Sequence, residues 1–154
     1  MISWGHTHYI LCMKHKVAIA ADHGGINLKA AIKEKFADQF EFIDLGTDGP
    51  ESVDYPDFGH KLAAMISAGD VEWGILICGS GIGISIAANR EPKVRSALCV
   101  NTTMARLSRQ HNDANVIALG ERIIGTELAF DMIDIFFNTE FEGGRHARRV
   151  AKMS

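Results

Sequence analysis

The 154-residue chain has no CxxC pair, no HExxH and no GxSxG with a nucleophile at its centre. Its three cysteines, Cys12, Cys78 and Cys99, are odd in number and widely spaced. That excludes a disulfide framework or zinc knuckle and points to free thiols in a reducing cytoplasm. GSGIG puts Ser80 in the wrong position for a Ser–His–Asp acyl-transfer elbow. There is no basic excess: the formal net charge of -3 argues against a nucleic-acid partner, though cationic groups can still gather in one pocket. No apolar run has the length of a membrane span, so no membrane partner is expected. The apolar stretch Tyr9–Met13 is too short for a signal-peptide core and lacks a basic start. CGSGIG has no Walker lysine and no third glycine for GxGxxG, so neither ATP nor a dinucleotide is indicated. The carboxylates and histidines form no dense metal signature, so metal-assisted chemistry is not demanded.

What is present suits one domain with a real core: 47% of residues are hydrophobic and 23% charged, the balance of a globular chain. Residues 1–15 differ in character from the rest and read as a flexible N-terminal extension, with 16–154 as the domain. Met13 is itself a plausible start. His6, His8 and His15 are metal-type donors in this segment, but a non-functional tail is the simpler reading.

From Val17 onward, apolar runs alternate with helical patterns. Val17–Ala21, Phe40–Gly46, Trp73–Cys78, Val94–Val100 and Asn115–Leu119 read as strands. Between them Leu28, Ile32 and Phe36 share a helix face that leaves Lys29, Lys33 and Glu34 to water, and Phe58, Leu62 and Ile66 share another. A helix opens after Gly83 and runs through Ala88, and Thr102 is placed to cap one that runs to about His111. Ile124, Leu128, Met132 and Phe136 mark a long helix, and a basic one spans about Gly144 to Lys152. Trp73–Cys78 is apolar throughout, as in a strand buried on both faces. Parallel strands need crossovers, so the expected fold class is a single three-layer α/β/α domain with a mostly parallel, Rossmann-like five-stranded sheet.

Ligands of such sheets bind beyond the carboxyl ends of the strands. Asp22-His23-Gly24-Gly25, Asp54-Tyr55, Cys78 with its glycine-rich turn and Gly120-Glu121-Arg122 are expected there, while His111-Asn112 ends a helix further on. The run Gly79-Ser80-Gly81-Ile82-Gly83 can present unobstructed N–H groups at a helix start, which suits a phosphate or an oxyanion and favours the thiolate of Cys78. A plain turn beside an inert core cysteine is the alternative. Asp22 is equally a simple N-cap, and His111 a structural histidine or an acid–base group. Arg145 and Arg149, four apart, share a face suited to a phosphate dianion or merely to the helix dipole, while His146 and Arg148 point elsewhere.

Six blocks in order, VAIAADHGG, DLGT, DYPDF, GILICGSGIGISIAANR, LSRQHNDANVIALGER and FEGGRHARRV, resemble the type B ribose-5-phosphate isomerases. The wider family includes subunits of galactose-6-phosphate isomerase. The resemblance runs from about Val17 to the C-terminus. It implies interconversion of ribose 5-phosphate and ribulose 5-phosphate without metal or organic cofactor. It assigns Cys78 as the base, His111 to ring opening, and the N–H groups from Gly79 through Gly81 and Ile82 to Gly83 to the enediolate, with Ser80 assisting. Asp22, His23 and Asn112 would contact substrate, and Arg122, Arg145 and Arg149 with His23 would hold the phosphate. It further implies a homodimer or dimer of dimers whose sites are shared, so that His111, Asn112 and Arg122 could come from the partner. One branch of the family carries a glutamate base in the following helix; Ile84 stands there, which makes this sequence similar to the cysteine branch.

Overall fold

The computed structural model describes residues 14–154; the expectations for residues 1–13 lie outside the described residues. Five strands form one all-parallel sheet: β1 (His15–Ala21), β2 (Phe40–Asp44), β3 (Trp73–Cys78), β4 (Ser96–Leu98) and β5 (Val116–Gly120). The helices are α1 (Ile26–Lys35), α2 (Tyr55–Ser67), α3 (Ile82–Ala88), α4 (Thr102–Asn112), α5 (Thr126–Phe137) and α6 (Arg145–Ala151), with a short 3-10 turn at His23–Gly25.

The sheet separates two cores by the alternation of its side chains. Val17, Ile19, Ile75, Ile77, Ile117 and Leu119 face one side, where Leu28 and Ile32 of α1, Ala105 of α4 and Met132 and Phe136 of α5 meet them. Ala18, Ala20, Leu76, Cys78, Val116 and Ala118 face the other, against Leu62 and Ile66 of α2 and Ile84 and Ala88 of α3. A period of two on a sheet covered on both faces gives unbroken apolar runs, which is why VAIAA and WGILIC carry no polar alternation. The three-layer expectation therefore holds.

Several boundaries differ from the sequence reading. β1 begins at His15, two residues early, and His15 pairs with Phe40. β2 ends at Asp44, although Leu45, Gly46 and Thr47 continue the hydrogen bonding to Ile19 and Ala21. β4, at the sheet edge, keeps three residues of the expected seven and pairs only with β5. Asn101, not Thr102, caps α4: its side-chain oxygen accepts from the Met104 N–H at 2.9 Å. Lys29 does not face water. It is 2% exposed and donates to Asp44 Oδ1 at 2.8 Å and Asp48 Oδ1 at 2.7 Å, while Lys33 donates to Asp44 Oδ2 at 2.8 Å. Burying an ammonium is tolerable only when it is paired in this way. Burial pushes the Asp44 carboxyl up, but hydrogen bonds from Lys29, Lys33 and the Gly46 N–H outweigh it and hold the group below its ordinary value.

Candidate active site

The strand order β2-β1-β3-β5-β4 reverses between β1 and β3. Loops leaving those two strands diverge, and the divergence opens a crevice at their carboxyl ends. Asp22 follows β1 there, Cys78 ends β3, and the loop through Arg122 follows β5 alongside. A cleft of about 530 Å³ results, walled by Asp22, Tyr55, Cys78, Ser80, Gly83 and Arg122 among others.

Cys78 is 4% exposed, and its sulfur accepts from the Gly81 N–H at 3.0 Å. Such a donor acts more strongly on a sulfur anion than on a neutral thiol. The bond depends on Gly81, which adopts φ +78, ψ -12 just before α3. A β-carbon there would stand 2.7 Å from Leu98 Cδ1 and 2.8 Å from the Leu119 carbonyl carbon. The Ile82 N–H donates to Ser80 Oγ at 3.2 Å. Two N–H groups of the turn are thus engaged locally. Gly83, in the first turn of α3, has no intrahelical acceptor for its N–H and lines the cleft.

Asp22 is buried and caps the 3-10 turn, Oδ1 accepting from the Gly24 N–H at 2.8 Å. The capping reading of this residue is realised, and its second oxygen remains beside the cleft wall. His23 Nδ1 accepts from the Val53 N–H at 3.2 Å, which ties the loop after β2 to the turn and puts the proton of the neutral ring on Nε2. Arg122 lies over Gly79: a β-carbon at Gly79 would sit 3.1 Å from its Nη1. Its loop is fixed by the Arg122 N–H to the Gly79 carbonyl and the Glu121 N–H to the Cys78 carbonyl, both 3.0 Å. Glu121 in turn accepts from the Asn27 side chain and the Leu28 N–H at 3.0 Å, tying the loop to α1.

His111 and Asn112 do not belong to this end of the sheet. α4 starts beyond the carboxyl end of β4 and finishes at Asn112, just ahead of the amino end of β5. Eleven helical residues rise about 16 Å, so the helix carries them toward the far end of the sheet from Cys78. α6 packs against α4, and the Glu142 N–H donates to the Gln110 carbonyl at 3.1 Å. Arg145 and Arg149 are exposed on α6, while His146 turns inward and stacks on His111 with ring centroids 4.2 Å apart. The chain therefore carries two separate groups: Asp22, His23, Cys78, Ser80 and Arg122 at one end, and His111, Asn112, Arg145 and Arg149 with α4 and α6.

The sequence reading missed Glu142 and His146. His146 has a signal of sorts, since it stands about 80° from the middle of the face that Arg145 and Arg149 share, which turns it off that face. Burial comes first among the causes that push its imidazole below the ordinary value, followed by His111 and Arg145, with Glu142 acting the other way. Among the described residues, His111, Glu142 and His146 are also the group with metal-type donors in mutual reach.

The family model described as Ribose/Galactose Isomerase matches residues 17–153. The chain is 50% identical over 141 residues to a putative sugar phosphate isomerase of Bacillus subtilis, covering 90% of this chain and 95% of that protein. It is 45% identical to ribose-5-phosphate isomerase B of Escherichia coli, covering 88% and 91%. The structure of ribose-5-phosphate isomerase B from Clostridium thermocellum matches with a TM-score of 0.88 at 55% identity, over 90% of this chain and 94% of that one. That of Mycoplasma genitalium, with bound ribulose-5-phosphate, matches with a TM-score of 0.86 at 40% identity, over 92% and 95%. Fold, cleft and relatives together define the class as that of the phosphosugar aldose–ketose isomerases. Within that class the chain belongs to the ribose/galactose isomerase family.

Proposed function

We propose that this protein interconverts ribose 5-phosphate and ribulose 5-phosphate, with Cys78 as the base. The observation that carries the reading is the placement of Cys78 Sγ in the cleft at the β1/β3 switch point, with the Gly81 N–H on the sulfur and Arg122 alongside. Relatives named ribose-5-phosphate isomerase B, one of them with ribulose-5-phosphate bound, support the substrate.

In the proposed reaction the thiolate takes the proton from C2 of the open-chain aldose. The C–H pair becomes the C1–C2 double bond of an enediolate, and the carbonyl oxygen at C1 takes up the charge. The hydroxyl proton on O2 then passes to O1, which leaves the charge on O2, and the same thiol returns the carbon-bound proton to C1 as the C2 carbonyl forms, giving the ketose. N–H donors aimed at the developing oxyanion, with Gly79 and Gly83 the best disposed and Ser80 assisting, are each worth about 3–4 kcal/mol in comparable sites. Asp22 orients a hydroxyl. His111 moves the ring-opening proton, Asn112 binds the sugar, and Arg122, Arg145 and Arg149 with His23 hold the phosphate.

These roles need both groups at one site, and a second copy of the chain is the means we propose. A homodimer would bring His111, Asn112, Arg145 and Arg149 of one protomer to the Cys78 cleft of the other. Tyr55, Ile82, Ile86 and Ile123 support this: all four are exposed large apolar side chains on the rim of that cleft. The same cleft would serve another phosphosugar with little change, and a substrate panel separates the two.

The test is ribulose 5-phosphate formation from ribose 5-phosphate in EDTA. Wild type should turn over, and a folded Cys78→Ala variant should lose about 10²–10⁴-fold in rate, the usual contribution of a general base. Equal rates would remove Cys78 as the base. Faster turnover of a tetrose or hexose phosphate would displace ribose 5-phosphate.

A further inference from the structure

His146 is 6% exposed, and its Nε2 has no hydrogen-bond partner among the described residues. Glu142 Oε2 is 3.6 Å away, too far for a hydrogen bond. A buried ring nitrogen left unmatched is uncommon and asks for something to fill it. His111 lies parallel to the ring, at an interplanar angle of 13°. One donor atom each from His111, Glu142 and His146 lies within 4.8 Å of the other two. An ion about 2.1 Å from each donor sets them about 3.4 Å apart in tetrahedral geometry, so closure needs a contraction of about 1 Å or somewhat more at the longest edge, and the His111 ring must turn out of its stack so that both in-plane lone pairs meet at the ion. Glu142 is half exposed and His111 partly so, which gives both side chains room to make that movement.

We infer that His111, Glu142 and His146 form a site for a divalent transition ion of the zinc class, and that its occupancy withdraws His111 from the sugar. Two imidazoles and one carboxylate suit zinc-like ions far better than magnesium or calcium, which take oxygen donors. Three protein ligands leave the fourth position to water. Arg145 and Arg149 oppose a nearby cation, which makes this an exchangeable ion and not a permanent structural one. The second clause rests on the proposed role of His111; the binding clause does not.

Co²⁺ titrated into the purified full chain, read by visible ligand-field absorption and equilibrium dialysis, tests the site. We expect one ion per chain, no thiolate-to-cobalt charge-transfer band, and undiminished affinity in Cys78→Ser. In Glu142→Gln, a change at a half-exposed position, affinity should fall roughly tenfold or more. Zn²⁺ should inhibit sugar isomerisation in the wild type, reversibly with EDTA, and the inhibition midpoint should shift by the same factor in Glu142→Gln. Absent binding, binding lost in Cys78→Ser, or equal affinity in Glu142→Gln overturns the site. Binding without inhibition overturns the link to His111 alone. A chain that turned over no phosphosugar would remove the proposed function and leave dialysis to decide the site.

Discussion

Replacing Gly81 with alanine isolates the one backbone feature on which the Cys78 geometry depends. At φ +78 a residue with a β-carbon is strained by about 1–2 kcal/mol. The new methyl would also stand 2.7 Å from Leu98 Cδ1, 2.8 Å from the Leu119 carbonyl carbon and 3.0 Å from its oxygen. Leu98 can rotate away; the Leu119 backbone, in the middle of a paired strand, cannot. Forcing a side chain into packed surroundings adds about 1–3 kcal/mol. The combined loss is about 2–5 kcal/mol. Gly69 supplies the control, because it has φ +80 and nothing within 4 Å of its β-carbon position. Gly69→Ala should cost only about 1–2 kcal/mol. Urea denaturation of the three proteins measures both losses, and their difference is the steric part. Equal stability of the two variants, within about 0.5 kcal/mol, would refute the reasoning.

Two further outcomes follow from the titratable groups. Burial pushes the Cys99 thiol up to about 11, so it stays neutral at pH 8, while Cys78 opens on the cleft. Iodoacetamide should therefore modify Cys78 well ahead of Cys99, more slowly with ribose 5-phosphate present, as peptide mass spectrometry would show; equal rates at the two thiols would contradict this. Asp44 is held below its ordinary value of 3.8, so its share of stability is complete above that pH and is lost as the pH falls toward the depressed folded value. Asp44→Asn should be less stable than wild type at pH 7, and the gap should close below pH 3.8 in denaturant titrations; a gap unchanged at low pH would count against the Lys29–Asp44–Lys33 network.

The legible parts of this molecule are those governed by local pattern. Apolar runs bounded by glycine marked the strands, and CGSGIG marked the turn that holds Cys78, because a tight strand-to-helix turn needs residues without side chains. What pairing decides was not legible. β4 shrinks to Ser96–Leu98, the stretch that meets Val116–Ala118 of β5. Lys29 looked like a solvent-facing helix position, and only the approach of Asp44 and Asp48 from another element makes its burial possible. His111 stands five positions before Val116, the first residue of β5, and the direction of α4 places it at the amino end of that strand. That placement was implicit in the expected topology, because a helix linking parallel strands finishes at the amino end of the next strand.

The central claim is that Cys78 and the α6 arginines, Arg145 and Arg149, act at one site built from two chains. Mixed dimers test it most directly. Cys78→Ala and Arg149→Ala, each nearly inactive alone, are dissociated together in equal amounts and reassembled, and ribose 5-phosphate isomerisation is measured. Half the dimers of a symmetric pair would then be hybrids with one intact site of two, so the mixture should recover about a quarter of wild-type activity. A mixture no more active than the mean of its parents would contradict the shared site and require each chain to work with its own residues alone.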